Sequence, residues 1–288
     1  VKGTRNAKYA VERAITDERV AARYNNFYEF TTNKTGVWSL ARDLTLRPWT
    51  IEVTGEVAKP LTLDVDDVVR KMPIEERLYR HRCVEAWAMT VPWTGFAFKA
   101  FLDFVQPTSR AKYVRFVTFH NPAEAPGQRP GGAYRWPYYE ALTIEEASNE
   151  LTFMANGIYG HEMPRQHGAP LRLVVPGWPG SCSQKWLNRI YLRDVVHDGA
   201  KMTGKAYRTP NRPVEPGEKV EKKDFDIIHA MPVKSLITSP KTGATTSNGM
   251  VEVNGHAWSG DDAVASVEVS IDFGATWTKT ALTSPANP

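Results

Sequence analysis

Residues 78–89, LYRHRCVEAWAM, place one of the two cysteines of this 288-residue chain directly after three basic side chains. The cysteine is Cys83, and Arg80, His81 and Arg82 precede it. A thiolate is the form of cysteine that acts as a nucleophile or binds a metal, and nearby cations stabilise it. The pattern therefore favours a reactive or metal-binding thiol at Cys83.

Other interpretations of the cysteines stay open from the residues alone. Cys83 and Cys182 form no C-x-x-C pair, which argues against a zinc ribbon or a redox dithiol. A single disulfide or two buried apolar thiols would fit equally, because free cysteine is commonly a small core residue. A cysteine hydrolase is a further alternative, although neither Q-A-C-x-G nor C-G-S-C-W surrounds Cys83.

A second stretch, residues 165–187, combines cations with a glycine-interrupted loop. A soft metal held by one protein thiolate needs its other ligands from elsewhere, for example from a sulfur-bearing cofactor that also carries phosphate. Phosphate is bound by cations and backbone N–H groups. Arg172 alternates with apolar neighbours on a predicted strand, and Gly177, Gly180 and Lys185 follow it. This stretch therefore predicts an anion site.

Composition excludes two classes of partner. Hydrophobic residues make up 42% and charged residues 24% of the chain, as in globular proteins. A net charge of +4 without a run of basic residues argues against a nucleic-acid partner. No stretch approaches the roughly 20 apolar residues of a membrane helix, so we expect no transmembrane segment in this chain. The polar N-terminal stretch lacks the apolar core of a signal peptide, which fits a cytosolic or an already processed protein.

The chain divides into four predicted regions: an arm at 1–40, a domain at 41–204, a linker at 205–230 and a C-terminal region at 231–288. The arm contains a short helix near DERVAARY. In the large domain we predict strands at WTIEVTGEV, KYVRFVTF and PLRLVVP, and helices at LDVDDVVRKM, FAFKAFLDFV and TIEEASNE. Asp64 is the expected N-cap of the first of these helices. The mixture indicates the α+β class.

The linker is rich in proline and charged residues, and the region after it alternates as strands do. Val267, Val269 and Ile271 share one predicted face, and DFGA supplies a hairpin turn. We therefore predict part of an all-β, immunoglobulin-like sandwich. It looks truncated, because about 60 residues are too few for seven strands.

Five motifs together closely resemble the sulfite oxidase family of molybdopterin-binding oxidoreductases. They are RYNNFYEF, RCVEAWAM, VPWTGF, HGAPLRLVVPG and KWLNRI, in this order and at these separations. The similarity covers residues 20–285. Residues 1–190 look most like the catalytic subunit of periplasmic protein-methionine-sulfoxide reductases, and residues 200–288 look like the sulfite oxidase and sulfite dehydrogenase branch with its dimerisation domain.

The resemblance implies a role for each matching residue. Cys83 would be the protein thiolate on molybdenum, and Trp93 and Tyr207 would line the substrate pocket as catalytic residues. The residues implied in binding the molybdenum-molybdopterin cofactor, besides Cys83, are Asn25, Tyr28, Glu29, Thr118, His167, Arg172, Ser183, Gln184 and Lys185. Within this set, Arg172 and Lys185 would hold the phosphate end, beside the backbone of Ser183 and Gln184.

The resemblance also implies oxygen-atom transfer at sulfur, on a small sulfur–oxygen substrate or on oxidised methionine in proteins. Two arginines of the sulfite-oxidising branch are missing, since Asn25 or Asn26 and Ala88 stand in their places. Sulfite is a dianion that arginines hold well, so sulfoxide reduction is the first expectation and sulfite oxidation the alternative. A non-catalytic cofactor-binding or interaction protein is an alternative of another class.

The expected partners and location follow from the same resemblance. No haem-binding C-x-x-C-H motif occurs, so we expect a separate haem-containing or other one-electron redox partner. The C-terminal region implies a homodimer. The family implies a periplasmic location with the signal peptide removed.

Overall fold

The computed structural model describes residues 3–11, 13–83, 85, 87–132, 134–196, 207–215, 217–247 and 249–283. The helices in these residues are α1 (Glu18–Ala21), α2 (Val37–Leu40), α3 (Val65–Lys71), α4 (Phe98–Val105) and α5 (Ile144–Ser148). The first strands are β1 (Thr4–Arg5), β2 (Thr50–Gly55), β3 (Leu61–Asp64), β4 (Glu75–Arg82), β5 (Ala88–Ala97) and β6 (Tyr113–Thr118). The next are β7 (Tyr139–Thr143), β8 (Phe153–Ile158), β9 (His161–Glu162), β10 (Arg172–Val174) and β11 (Leu187–Arg193). The last are β12 (Arg208–Pro210), β13 (Phe225–Ile227), β14 (Lys234–Ser239), β15 (Asn254–Trp258), β16 (Glu268–Val269) and β17 (Thr278–Lys279).

Two mixed sheets form the body of the protein. The first has the strand order β1-β4-β5-β8-β10, with β9 added beside β8, and the second has the order β3-β2-β11-β6-β7. The β1–β4 and β2–β11 pairs are parallel, and the other pairs in these sheets are antiparallel. Helices α3, α4 and α5 contribute to the largest hydrophobic cluster together with residues of both sheets. The predicted α+β class is confirmed.

Local sequence explains the elements that frame this core. Ile51 and Val53 alternate along β2 and are fully buried, as predicted. The Asp64 carboxylate accepts hydrogen bonds from the backbone N–H groups of Asp66 and Asp67, which confirms it as the N-cap of α3. Helix α4 buries one apolar face, and it ends at Gln106, whose positive φ of 54° breaks the helix before a proline.

The N-terminal arm is packed more firmly than its sequence predicts. Strand β1 pairs in parallel with the start of β4, and the predicted short helix occurs as α1, capped by Asp17. Phe30 and Val37 pack with Trp186 in a separate hydrophobic cluster, where all three are buried. Full burial of such large apolar side chains stabilises the fold by roughly 1.5–3 kcal/mol each. This packing fixes the arm beside the loop that follows β10.

The C-terminal region is only partly as predicted. Among the described residues after 206, strands occur as three two-stranded sheets, β12-β13, β14-β15 and β16-β17. The hairpin with the DFGA turn forms as β16-β17. Ile271, however, is 93% exposed, and Phe273 is also exposed. The sandwich is therefore not confirmed by the described residues, and the four region boundaries stay predictions.

An ion pair attaches the segment before β14 to the large domain. Nδ1 of His229 lies 2.7 Å from Oε1 of Glu146 on α5. The hydrogen bond that His229 donates to the Glu146 carboxylate raises the pKa of His229 above its ordinary value. Burial disfavours the Glu146 carboxylate, but the hydrogen bonds from His229 and Thr143 outweigh that effect and lower its pKa.

We expect the pair to stabilise the attachment most at mildly acidic pH. The His229 contribution is present below pH 6.5 and is lost as pH rises through the raised pKa. The Glu146 contribution is present above pH 4.5 and is lost as pH falls through the lowered pKa. His229→Gln should therefore lower the melting temperature more at pH 6 than at pH 8. The change should not exceed about 1 kcal/mol, because the imidazole is half exposed. Replacing the exposed His120 by glutamine is the control, and an equal loss at both pH values would contradict the assignment.

None of the helices in the described residues has the length and hydropathy that crossing a membrane requires.

Candidate active site

A cavity of about 220 Å³ opens at one end of the first sheet. Strands β4, β5 and β10 contribute its floor, and the arm, the segment 134–138 and the loop before β11 close around it. Nine of the twelve site residues predicted from the sequence lie on its wall. They are Asn25, Tyr28, Glu29, Cys83, Trp93, His167, Arg172, Lys185 and Tyr207.

Cys83 follows β4 directly, and its backbone N–H donates to the carbonyl of Trp87. Its side chain is 4% exposed and forms no disulfide with Cys182, so the disulfide alternative is wrong. Burial raises the pKa of the Cys83 thiol, while weaker effects of Asn26 and Lys34 lower it. A metal at this sulfur would displace the proton and bind the thiolate.

The expectation that flanking arginines stabilise the thiolate is wrong. Successive side chains of a strand point to opposite faces, so His81 and Cys83 reach the cavity while Arg80 and Arg82 do not. The polar group next to the sulfur is instead the amide of Asn26, with Nδ2 at 4.0 Å from Sγ. Tyr28 holds this amide, because its hydroxyl donates to Oδ1 of Asn26 at 2.9 Å.

Glu85 ties the arm to the cysteine loop. Its carboxylate forms an ion pair with Lys34 and accepts hydrogen bonds from Tyr24 and Asn26. The hydrogen bond from Lys34 is the main cause of the lowered pKa of Glu85. The loop that carries the thiol is thus held to the arm by charge as well as by packing.

Two buried cations form the inner wall of the cavity. The Arg172 guanidinium donates to the carbonyls of His167 at 3.0 Å and Ser183 at 2.9 Å, and it lies 4.9 Å from the Trp93 ring centroid. Burial lowers the pKa of Arg172 to about 9. Lys185 is 4% exposed and donates to Oδ1 of Asn25 at 2.6 Å. Burial, followed by the charge of Arg172, lowers the pKa of Lys185 well below its ordinary value.

Burial, together with these cations, keeps two histidines neutral. Burial and the charges of Arg172 and Lys185 lower the pKa of His81 to about 3, and the same effects lower the pKa of His167. His81 packs against Trp93, with ring centroids 5.7 Å apart. A cavity with this much buried positive charge favours an anionic ligand.

Unsatisfied polar atoms support the same conclusion. Within the described part of the chain, Nε2 of His167 and the indole N–H groups of Trp93 and Trp136 are buried without a hydrogen-bond partner. Buried polar groups in native structures are nearly always hydrogen-bonded, so these atoms indicate a bound ligand with several polar groups. A phosphorylated pterin, which carries both acceptors and donors, fits them, and Cys83 would be the protein ligand of its metal.

Three predicted residues lie behind the wall rather than on it. Thr118 points at the backbone, where its hydroxyl donates to the carbonyl of Tyr138 at 3.2 Å. Ser183 accepts from Arg172 through its carbonyl and from the Val175 N–H through its hydroxyl. The Gln184 carbonyl accepts from the Leu173 N–H on β10. These three residues do not line the cavity wall, and their predicted contacts with the cofactor, through the backbone for Ser183 and Gln184, stay predictions.

The sequence interpretation missed several wall residues, mostly neutral and aromatic ones. They are Tyr24, Asn26, His81, Glu85, Trp87, Tyr134, Arg135, Trp136 and Tyr138. His81 was within reach of prediction, because it lies two positions before Cys83 and so shares its face of the strand. The residues of 134–138 gave no such signal, since they lie in a loop without periodicity.

Gly127 sets the position of the arm over the cavity. A Cβ at this position would lie 2.3 Å from the carbonyl oxygen of Tyr28 and 2.8 Å from that of Glu29. Gly127→Ala should therefore displace the arm and lower the free energy of unfolding by about 1–3 kcal/mol, with a parallel loss of bound pterin. Thermal unfolding and pterin analysis measure both effects. Gly132→Ala is the matched control, because its nearest neighbours lie at 3.5 Å, and an unchanged Gly127→Ala protein would contradict this role.

The fold and this site define a pterin-binding oxidoreductase, and comparison with known proteins supports that class. Residues 39–201 match the model of the oxidoreductase molybdopterin-binding domain, and residues 225–288 match the molybdenum-cofactor oxidoreductase dimerisation domain. Among solved structures, the sulfane dehydrogenase SoxCD from Paracoccus pantotrophus superposes with a TM-score of 0.62 at 19% sequence identity. That match covers 95% of this chain and 76% of the SoxCD chain.

The chain belongs to the sulfite oxidase family of molybdopterin oxidoreductases. It is therefore an oxidoreductase with a molybdenum-pterin cofactor, as the sequence motifs predict. The alternative of a non-catalytic interaction protein is not supported by these matches.

Proposed function

We propose that this enzyme reduces a sulfoxide, with methionine sulfoxide as the substrate class. The observation that carries the proposal is the neutrality of the donors beside Cys83. Nδ2 of the Asn26 amide lies 4.0 Å from the Cys83 sulfur. His81 shares the cavity-facing side of β4 with Cys83, and its imidazole, with a pKa of about 3, carries no charge. A sulfoxide presents one polarised oxygen and no net charge, which neutral donors suit.

Two cations of the inner wall, Arg172 and Lys185, are partly engaged by backbone and amide oxygens. Three of the five N–H groups of Arg172 donate to the backbone carbonyls of Leu173, His167 and Ser183. Lys185 donates to Asn25 and to the carbonyl of Gln166. Holding a sulfite dianion requires cationic forks close to the reacting centre. Arg172 and Lys185 are better placed to hold the phosphate of the cofactor.

The aromatic wall supplies apolar contact for the substrate. Trp87 and Trp93 flank His81, with ring centroids 5.9 and 5.7 Å from its ring, and Tyr207 lies on the same wall. Flat aromatic faces bind the methyl and methylene groups of a thioether and displace water from them. This wall is expected to orient the sulfur–oxygen bond towards Cys83.

The chemistry at sulfur requires two electrons and two protons for each oxygen removed as water. When bound, the molybdenum cofactor supplies the site of oxygen transfer and the two-electron redox change. Cys83 would hold the metal, Arg172 and Lys185 the phosphate, and Asn26 and His81 would donate hydrogen bonds to the substrate oxygen. A one-electron partner protein would supply the electrons in two steps.

A pair of steady-state assays tests the proposal. The holoenzyme is assayed with methionine sulfoxide and a reduced dye, and separately with sulfite and a one-electron oxidant. We expect the kcat/KM for the sulfoxide to exceed that for sulfite. Robust turnover at micromolar sulfite would overturn the proposal.

Sulfite oxidation is the second candidate, and one observation favours it. Arg135 lies on the cavity wall and is exposed, so its guanidinium is available to an anion. Arg135→Gln separates the candidates: sulfoxide turnover should change by no more than a few-fold, whereas a sulfite oxidase should lose most of its affinity for sulfite.

We further propose a periplasmic location, a haem-containing or similar redox partner, and a homodimer formed through an immunoglobulin-like C-terminal region. The match of residues 225–288 to a dimerisation domain supports the dimer. Sedimentation of the purified chain tests it, and a monomer at micromolar concentration would contradict it.

A further inference from the structure

A second cluster of cations lies outside the cavity, on the other face of β4. Arg80 and Arg82 alternate with His81 and Cys83, so their side chains point away from the pterin site. There Arg82 packs on Trp258 of β15, and Arg13 of the arm contacts His256 of the same strand. We refer to this junction of Arg13, Arg82, His256 and Trp258 as the seam.

The seam has a defined geometry. Nη1 and Nη2 of Arg13 lie 2.8 and 3.0 Å from Nε2 and Nδ1 of His256. A neutral imidazole has only one accepting nitrogen, so at most one of these contacts is a hydrogen bond. The Arg82 guanidinium lies 4.3 Å from the centroid of the Trp258 ring. Trp258 is 7% exposed, and within the described residues its indole N–H is buried without a hydrogen-bond partner.

The seam also lacks a counter-charge. Among the described residues, neither Arg13 nor Arg82 forms an ion pair with a carboxylate. Burial, followed by the charges of Arg13 and Arg82, lowers the pKa of His256. The half-buried guanidinium of Arg82 lies near the like charge of the exposed Arg13, which costs free energy unless an anion joins the two groups.

We propose that the seam is a second ligand site, which binds a small oxyanion of the sulfate or phosphate type. Guanidinium groups match tetrahedral oxyanions in geometry as well as in charge. The bound ion would join the arm, the strand that leads to Cys83 and the C-terminal region, and so hold these three parts together.

Direct binding measurements on the holoenzyme test this site. In the holoenzyme the pterin already occupies the cavity, so an added anion cannot bind in its place. Isothermal titration with sodium sulfate and with sodium phosphate, against sodium chloride at matched ionic strength, should show one saturable site for the two tetrahedral ions only. Arg82→Gln should weaken that binding about tenfold, the usual effect of losing one charge-assisted hydrogen bond. Arg13→Gln should also weaken it, and this exposed residue can be changed without disturbing the loop of Cys83.

The matched control is Arg212→Gln. Arg212 is an exposed arginine that pairs with Glu218 and does not belong to the seam. It should bind sulfate as the unchanged protein does. If titration with sulfate or phosphate gave no saturable heat of binding, the proposal would be overturned. Equal affinity in the Arg13→Gln and Arg212→Gln proteins would overturn it as well, because the ion would then occupy another site, such as the substrate pocket beside the metal.

Discussion

Cys83→Ser is expected to abolish turnover in a chain that still folds and retains most of its pterin. The side chain is buried and small, so a hydroxyl of nearly the same shape leaves the packing intact. The loss of activity should exceed the roughly 100-fold that removal of an outer partner of a metal ligand costs. Steady-state assays measure the turnover, and chemical analysis of the purified protein measures the bound pterin and the bound molybdenum.

The physical reason is the difference between sulfur and oxygen as ligands. A thiol with a raised pKa still ionises when a metal replaces its proton, and the soft thiolate then donates strongly to the metal. A serine hydroxyl ionises far less readily and is a harder ligand. Retention of the pterin is expected because Arg172 and Lys185 bind its other end, and neither touches residue 83.

Cys182→Ala is the matched control. Cys182 is also 4% exposed, but it belongs to the large hydrophobic cluster and does not lie on the cavity wall. Its replacement should leave activity per bound molybdenum unchanged. Full activity in Cys83→Ser, or equal losses in both variants, would remove Cys83 from the metal.

Local periodicity is sufficient to predict helices and strands of the large domain. The alternation of Ile51 and Val53 and the capping residue Asp64 each determine structure within a few residues, so the sequence reveals them. The arm is different, because β1 and the packing of Phe30 on Trp186 depend on partners about 70 and 156 positions away. Contacts at such separations leave no local pattern in the sequence.

The C-terminal region shows the limit of alternation as evidence. Alternation of Val267, Val269 and Ile271 indicates which side chains share a face, but it does not indicate what covers that face. Burial depends on a second layer, and among the described residues none covers Ile271. The prediction of a hairpin was therefore confirmed, whereas the sandwich stays a proposal.

In the site, motifs located most of the predicted wall residues, and geometry added others that belong to no recognised motif position. The motifs contain cysteine and buried cations, which are unusual in a strand or loop. These residues are Cys83, Arg172 and Lys185. The prediction that Arg80 and Arg82 assist the thiol was wrong because adjacency along a strand places side chains on opposite faces. Asn26, the amide nearest the sulfur, became evident only from the three-dimensional contact.

Lys185→Met should reduce the pterin content of the purified protein more than tenfold, since it removes a buried ammonium from the proposed phosphate site. In the cofactor-free chain this ammonium is costly, as the lowered pKa of Lys185 shows. Its removal also leaves Oδ1 of Asn25 and the carbonyl of Gln166 without this donor. These two effects oppose each other, so the free energy of unfolding of the cofactor-free chain should change by less than about 2 kcal/mol.

The two readouts separate a binding role from a structural one. Cofactor-free protein from cells that do not make the pterin gives the unfolding free energy, and protein from pterin-producing cells gives the bound pterin and molybdenum. Lys99→Met is the matched control, because Lys99 is an exposed lysine on α4 that pairs with Asp103, and it should alter neither quantity. Undiminished pterin in Lys185→Met, or a loss of pterin matched by collapse of the cofactor-free fold, would contradict the assignment. A selective loss of pterin would show that the buried charge is retained for the anion it binds, at some cost to the chain alone.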